Sequence, residues 1–211
     1  MSQTELIVLQ PFGPSIVKVK IPENIINNIN KYIDDVINNE EKSKKLDYGF
    51  KLVGNVKQEI RLEKEIVEQT GWIKFLAEVT AKWIEVTNKK KISEFKIIDT
   101  WVVRQFANEY NPIHWHSGHI SGAGFLKVPT NLGQNFQKEK KIKTNGQLEL
   151  IHGNKAFMSN PKFSITPAVG DFYIFPHYMM HTVYPFTGSD EERRSISFNA
   201  TIDSKIFDVF S

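Results

Sequence analysis

The feature that most constrains this chain is a change of texture at Ser93. From there to the C-terminus, short β-type runs follow one another between glycine, proline and asparagine breaks. They are Phe95-Lys96-Ile97-Ile98, Trp101-Val102-Val103, Gly122–Val128, Leu148–His152, Phe163–Ile165, Asp171–Phe175, His181–Val183 and Arg194–Ile202. Short strands with no helices between them predict a sandwich or barrel of the jelly-roll type. Before Ser93 the pattern is helical. Ile26, Ile29, Tyr32, Ile33, Val36 and Ile37 follow an entrance at Pro22-Glu23 and predict a helix ending near Asn39. Trp72, Ile73, Phe75, Leu76, Val79, Trp83, Ile84 and Val86 predict a second, from about Glu65 to Lys89. Both read as scaffolding packed on a sheet. Glu5–Val19 reads as a strand or two broken around Pro11, Gly13 and Pro14, Glu40–Gly49 as an exposed loop, and Leu52–Val56 as a short turn or strand. Residues 131–146 are polar and lysine-rich and read as a long loop. The expected organisation is one domain over residues 1–211, mainly β, with 1–92 supporting a jelly-roll core at 93–205.

Composition narrows the function. An apolar content of 40% supports a packed core, and a net charge of +3 is mild. Lys89-Lys90-Lys91 and the run Lys138–Lys143 read as solvated segments, so no nucleic-acid partner is expected. The chain has no cysteine, which excludes disulfides, thiolate ligands and a cysteine nucleophile and fits the cytoplasm. No signal peptide or membrane partner is expected, because no basic-then-apolar leader or long apolar run is seen.

The chemistry gathers at His114-Trp115-His116. Alternate residues of a strand share a face, so His114 and His116 would point the same way. Neutral imidazoles are common metal ligands. A third is available at His181, after the strand that Pro176 stops; His177, next to that proline, is the surface competitor. We therefore expect these three histidines to hold one metal inside a β-barrel. In Arg193–Ile202, Ile196, Phe198, Ala200 and Ile202 form one face, and Arg193, Ser195, Ser197, Asn199 and Thr201 the other. If the polar face lines the lumen, Arg193 and Ser195 suit a carboxylate ligand, because a guanidinium binds carboxylate bidentately. If the apolar face lines it, Arg193 is a surface charge.

These residues carry a family resemblance. The order His-x-His, then Ser121-Gly122-Ala123-Gly124-Phe125-Leu126-Lys127-Val128-Pro129, then Gly170-Asp171-Phe172 through Phe175-Pro176 to His181, then Arg193-x-Ser195-x-Ser197-Phe198-Asn199 resembles the Fe(II)- and 2-oxoglutarate-dependent oxygenases. The likeness is to the group related to prolyl hydroxylases and found in bacteria and their tailed phages, and it spans roughly residues 100 to 200. The resemblance implies a double-stranded β-helix (jelly roll) and maps His114, His116 and His181 onto the ligands of Fe(II). It makes Arg193 with Ser195 the pair that binds the distal carboxylate of 2-oxoglutarate. Arg194 is the neighbouring alternative, in phase with Ile196 and Phe198. The implied reaction consumes 2-oxoglutarate and O2, releases succinate and CO2, and hydroxylates a protein or small-molecule substrate. Two departures stand out. His116 occupies a position where a carboxylate is usual. Phe125 occupies a position where relatives often have a tyrosine that hydrogen-bonds the co-substrate. Its replacement would be Lys127, on the same face, or Arg104, Gln105 or Asn108 on the preceding strand; Ser197 and Asn199 extend the candidate set.

Other readings accompany this one. His119, out of phase with His116, reads as a rim residue and His152 as part of a hairpin. Trp115 reads as core, and Trp101, Phe172, Phe175 and Met179-Met180 as core or pocket wall. Glu191 and Glu192 read as a solvated loop and Asp171 as a turn residue. Two further function classes are a three-histidine dioxygenase that does not use 2-oxoglutarate, and a non-catalytic jelly-roll binding or phage structural module.

Overall fold

The computed structural model describes residues 6–9, 13–135, 137 and 139–207. In chain order the elements are β1 (Leu6–Leu9), β2 (Ile16–Lys20), α1 (Glu23–Ile37), α2 (Glu40–Leu46), β3 (Gln58–Arg61), α3 (Lys64–Gln69), α4 (Trp72–Asn88), β4 (Phe95–Gln105), β5 (Asn111–His114), β6 (Ile120–Lys127), β7 (Leu148–Ile151), β8 (Lys162–Ile165), β9 (Asp171–Pro176), β10 (Met180–Val183), β11 (Arg193–Ile202) and α5 (Ser204–Phe207). A seven-stranded sheet runs β1-β2-β9-β6-β11-β4-β3, and a four-stranded sheet runs β5-β10-β7-β8. Every strand pairing is antiparallel. This is the mainly β jelly roll that the strand pattern predicts. No helix among the described residues is long and apolar enough to cross a membrane.

The large sheet separates two cores, and side-chain alternation assigns each residue to one of them. Phe172 and Ile174 of β9 and Ile196, Phe198 and Ala200 of β11 face the helices, packing with Ile29 and Ile33 of α1 and Trp72 and Leu76 of α4. Tyr173 and Phe175 of the same β9 face the small sheet, with Phe125, Leu148 and Leu150. A Cβ on Gly124 would lie 2.3 Å from the Phe172 ring, and one on Gly122 2.6 Å from Phe198. The glycines of the Ser121-Gly122-Ala123-Gly124 motif therefore make room for two core rings that lie across β6.

The helical half departs from the sequence reading in two places. The second helix is two, because Gly71 takes a left-handed φ of 77° between α3 and α4. The stretch expected as the loop Glu40–Gly49 forms α2, whose first turn is capped by Asn39 accepting from the Lys42 amide at 2.9 Å. Its charges gave no apolar period to read. β1 and β2 match the expected pair of strands, though the break at Pro11 lies outside the described residues.

Candidate metal centre and its cavity

His114 and His181 come together through strand register. They are directly opposed in the β5–β10 pairing, which puts their side chains on one face about 5 Å apart at the Cβ atoms. His116 arrives differently. β5 ends at His114, so strand alternation does not place His116 as the sequence suggested. Its amide instead donates to the His177 carbonyl at 3.1 Å, and its ring packs edge-on against Trp101. The result is convergent: one ring nitrogen from each histidine lies within 4.8 Å of the other two.

The ring chemistry fits a cation. His114 Nδ1 lies 2.7 Å from the Pro112 carbonyl and His181 Nδ1 2.9 Å from the Met179 carbonyl. A carbonyl only accepts, so each Nδ1 carries the proton and each Nε2 keeps its lone pair. His116 Nε2 is 3.1 Å from His181 Nε2. That is near the separation of two neighbouring ligands each about 2.1 Å from a common ion. Burial pushes all three imidazoles down, His116 to about 3 and His181 well below its usual range. They are therefore neutral, as ligation requires, at any pH near 7.

The histidines open on a cavity of about 130 Å³ between the two sheets. Its floor is written in rows across the large sheet. One row is Glu59, Val103, Ser195 and Phe125; the next is Gln105 and Arg193; on the other side lie Trp101, Ser197 and Ala123. All of these line the cavity, with His114, His116 and His181 on the opposing side. Arg193 is 1% exposed. It donates Nη1 to Gln105 Oε1 at 3.0 Å and rests its guanidinium 5.1 Å over the Phe125 ring. Its Nε has no hydrogen-bond partner, and no carboxylate among the described residues pairs with it. Burial alone lowers it, to about 9. A fully desolvated cation facing a cavity without a counter-ion is a site built for an anion.

Several predicted residues lie elsewhere. Lys127 does not reach the cavity. A register shift between Arg194 and Ser195 pairs Lys127 with Arg194, which breaks the alternation that seemed to place it with Phe125. Its ammonium instead lies 3.5 Å from Asp34 of α1. Arg104 is also on the helix side, bonded to Glu192 and Gln58. Asn199 is absent from the cavity wall and accepts from Ser121 Oγ at 2.8 Å. Asn108 donates its amide to the Phe186 carbonyl and lies off the wall. Gln105 does line it, as the support of Arg193. Glu192, read as solvated, is the counter-ion of both Arg104 and Arg194. Asp171 closes the turn before β9, donating its amide to the Ala168 carbonyl at 3.0 Å, and its side chain also pairs with Lys18 and Lys20. Trp115 is 65% exposed at the cavity mouth, not core. His119 accepts from the Ile202 amide and is half-buried, as is His177.

One cavity residue was missed. Glu59 on β3 is 1% exposed, and its Oε2 has no partner. Burial, and then the Asp47 carboxylate, raise it to about 7. The signal was present: Ile60 and Leu62 belong to the helix-side core, so alternation turns Glu59 to the other face.

Comparison with known proteins agrees with this architecture. Residues 99–199 match the sequence model of a family described as putative 2OG-Fe(II) oxygenase. No curated protein matches the chain. Among solved structures, a Pseudomonas putida prolyl-4-hydroxylase is 12% identical over 94% of each chain, with a TM-score of 0.55. A viral collagen prolyl hydroxylase from Paramecium bursaria Chlorella virus-1, solved with 2OG, is 13% identical over 87% of this chain and 94% of its own, at 0.52. The carbocyclase SnoK from nogalamycin biosynthesis, α-ketoglutarate-dependent and non-heme, is 10% identical over 89% and 79%, at 0.58. At these identities the likeness is one of fold.

Proposed function

We propose that the chain is an Fe(II)- and 2-oxoglutarate-dependent oxygenase, in which His114, His116 and His181 hold the iron while Arg193 and Ser195 seat the co-substrate. Fe(II), when bound, supplies the coupling of O2 reduction to decarboxylation of 2-oxoglutarate, giving succinate and CO2. The chain's own residues do the rest. The three histidines, whose ring nitrogens converge on one point, would hold the ion there and would supply no more than three of its ligands. Arg193 takes the distal carboxylate, its guanidinium fixed by Gln105 and the Phe125 ring. The Ser195 hydroxyl, in the neighbouring row, donates a further bond. Phe125 thus contributes a flat support for the arginine where a tyrosine would contribute a hydroxyl. Trp101 and Leu148 help keep water from the reacting centre.

The observation that carries this reading is the buried Arg193 without a counter-ion, within the same cavity as the three histidines. A three-histidine enzyme that ignored 2-oxoglutarate would leave that cation unexplained, and so would a non-catalytic module. The reaction on the second substrate is a hydroxylation, and the absence of cysteine suits work in a reducing cytoplasm. The test is substrate-free turnover. Purified protein with Fe(II), O2, ascorbate and 2-oxoglutarate is expected to form succinate, and calorimetry to show 2-oxoglutarate binding. Absence of both would sink the proposal.

A further inference from the structure

The cavity holds a second set of unsatisfied groups, on the wall formed by β3, β5 and the segment that precedes β3. Glu59 Oε2 and Asn111 Oδ1 are both buried and both lack a hydrogen-bond donor. They line the same cavity as the metal histidines. The two side chains flank Gly54: a Cβ built there would lie 3.0 Å from Asn111 Oδ1 and 3.0 Å from Oε1, the other oxygen of the Glu59 carboxyl. Neither cation that lines the cavity is bonded to this pair. Arg193 bonds Gln105, and the Lys51 ammonium lies over the Tyr48 and Phe50 rings at 5.2 and 5.7 Å. No ion pair joins either to Glu59 among the described residues.

Leaving two buried acceptors dry on one wall costs stability. An external donor that bridges them removes the cost. The co-substrate cannot be that donor, since it is a dianion and belongs on the Arg193 side. Two acceptors, one of them a carboxyl with Asp47 beside it, complement a cation with several N–H groups. Val53 and Trp115, at the mouth of the same cavity and 52% and 65% exposed, offer apolar surface to the rest of such a molecule.

We infer that Glu59 and Asn111 form the recognition site for the primary substrate, and that this substrate presents an ammonium or guanidinium group on an apolar stem. The inference rests on the oxygenase reading for the identity of the cavity. The cationic end docks on the acceptor pair, the stem runs along Val53 and Trp115, and a carbon of the stem faces the histidines. Glu59 and Asn111 are specificity-determining residues here; neither takes part in co-substrate binding.

The probes are n-butylguanidinium and its neutral isostere n-butylurea, titrated calorimetrically into the anaerobic Fe(II)–2-oxoglutarate protein and, separately, into protein without either. The expected result is at least tenfold tighter binding of the guanidinium. That preference should vanish in Glu59→Gln, and Gly54→Ala, which fills the space beside both acceptors, should weaken the guanidinium at least tenfold. The 2-oxoglutarate affinity of Glu59→Gln should equal wild type, which also reports that the variant is folded. Equal binding of the two probes, binding of neither, or a preference that survives Glu59→Gln overturns the inference while leaving the oxygenase reading intact. Failure of the wild type to bind 2-oxoglutarate strikes the oxygenase reading instead, and the titration without co-substrate still decides the acceptor pair.

Discussion

Arg193 and Arg194 are consecutive, of one residue type, and equally buried at 1% and 0% exposure. They lie on opposite faces of β11 and differ in everything else. Arg194 faces the helices. It donates to Asp34 at 2.7 Å, to both oxygens of Glu192 at 2.9 and 3.0 Å, and to the Asn30 side chain and carbonyl at 3.1 Å. It is a rivet between strand and helix α1. Arg193 faces the lumen with one neutral partner and a ring. A charge that is buried and satisfied reports on the fold, and one that is buried and unsatisfied reports on a ligand. The same contrast separates the two faces of the whole sheet. Both sides carry rings and aliphatics, but the helix side holds the paired Arg194–Glu192–Arg104 network, while the lumen side holds Glu59, Asn111, Arg193 and the histidines.

The strongest way to break the contrast is at the metal centre. His181→Ala should lower Fe(II) affinity by more than about 100-fold, since disturbing even the outer partners of a ligand costs about 10- to 100-fold, and succinate formation should be lost. His177→Ala, four positions earlier, should leave Fe(II) affinity unchanged. Anaerobic titration of Fe(II) measures both. Equal effects would mean the wrong histidine completes the site.

Next come the arginines themselves. Arg193→Ala should raise the Kd for 2-oxoglutarate by about 100- to 1,000-fold, the scale of losing one partner of a buried charge pair. Stability should hold or rise, because an uncompensated buried cation is removed. Arg194→Ala should do the reverse. Unfolding free energy should fall by about 3 kcal/mol as Glu192 and Asp34 lose their shared partner, with co-substrate Kd changed less than about threefold. Denaturant unfolding and calorimetry read the two quantities separately, and similar Kd shifts would show that the two faces of β11 have been assigned the wrong way round.

A smaller, pH-dependent effect tests the lumen at Glu59. Its folded carboxyl is raised to about 7, so between its unfolded value near 4.5 and that point the folded protein binds more protons than the unfolded one. Stability therefore falls as pH rises through that window. Glu59→Gln removes the dependence and should gain on the wild type with rising pH, reaching on the order of 3 kcal/mol at pH 8. Unfolding curves at pH 5 and 8 check it. A loss of stability at pH 8 would mean that Glu59 has a structural partner after all.

How far these faces could be read in advance depended on parity. Arg193, Ser195 and Ser197 against Ile196 and Phe198 is an uninterrupted alternation, and the structure keeps it. Lys127 fails because the register shift between Arg194 and Ser195 inserts a step that no residue type announces. His116 reaches its place by leaving the strand, so the inference of a shared face was sound for convergence and wrong for cause. The segment from Glu40 hid a helix because cap and charge, not apolar period, hold it. Glu192 looked solvated because a run of charges carries no sign of what it will meet. Its partner Arg104 is 88 residues away in sequence.

The smallest effect is expected at Ser195, and it is the finest test of the two faces. Ser195 stands in the row of Glu59, Val103 and Phe125, beside the row that holds Arg193. A hydroxyl that donates to a carboxylate contributes about 1.5 kcal/mol, so Ser195→Ala should weaken 2-oxoglutarate roughly tenfold. It should leave unfolding nearly unchanged, since the hydroxyl lines a cavity and fills no core. Ile196→Ala, one residue on and fully buried against the helices, should cost about 2–5 kcal/mol of stability and leave co-substrate affinity alone. Measured together, the two variants ask whether a single step along β11 exchanges binding for stability. If Ser195→Ala destabilises the fold without touching 2-oxoglutarate, the co-substrate lies against some other part of the lumen.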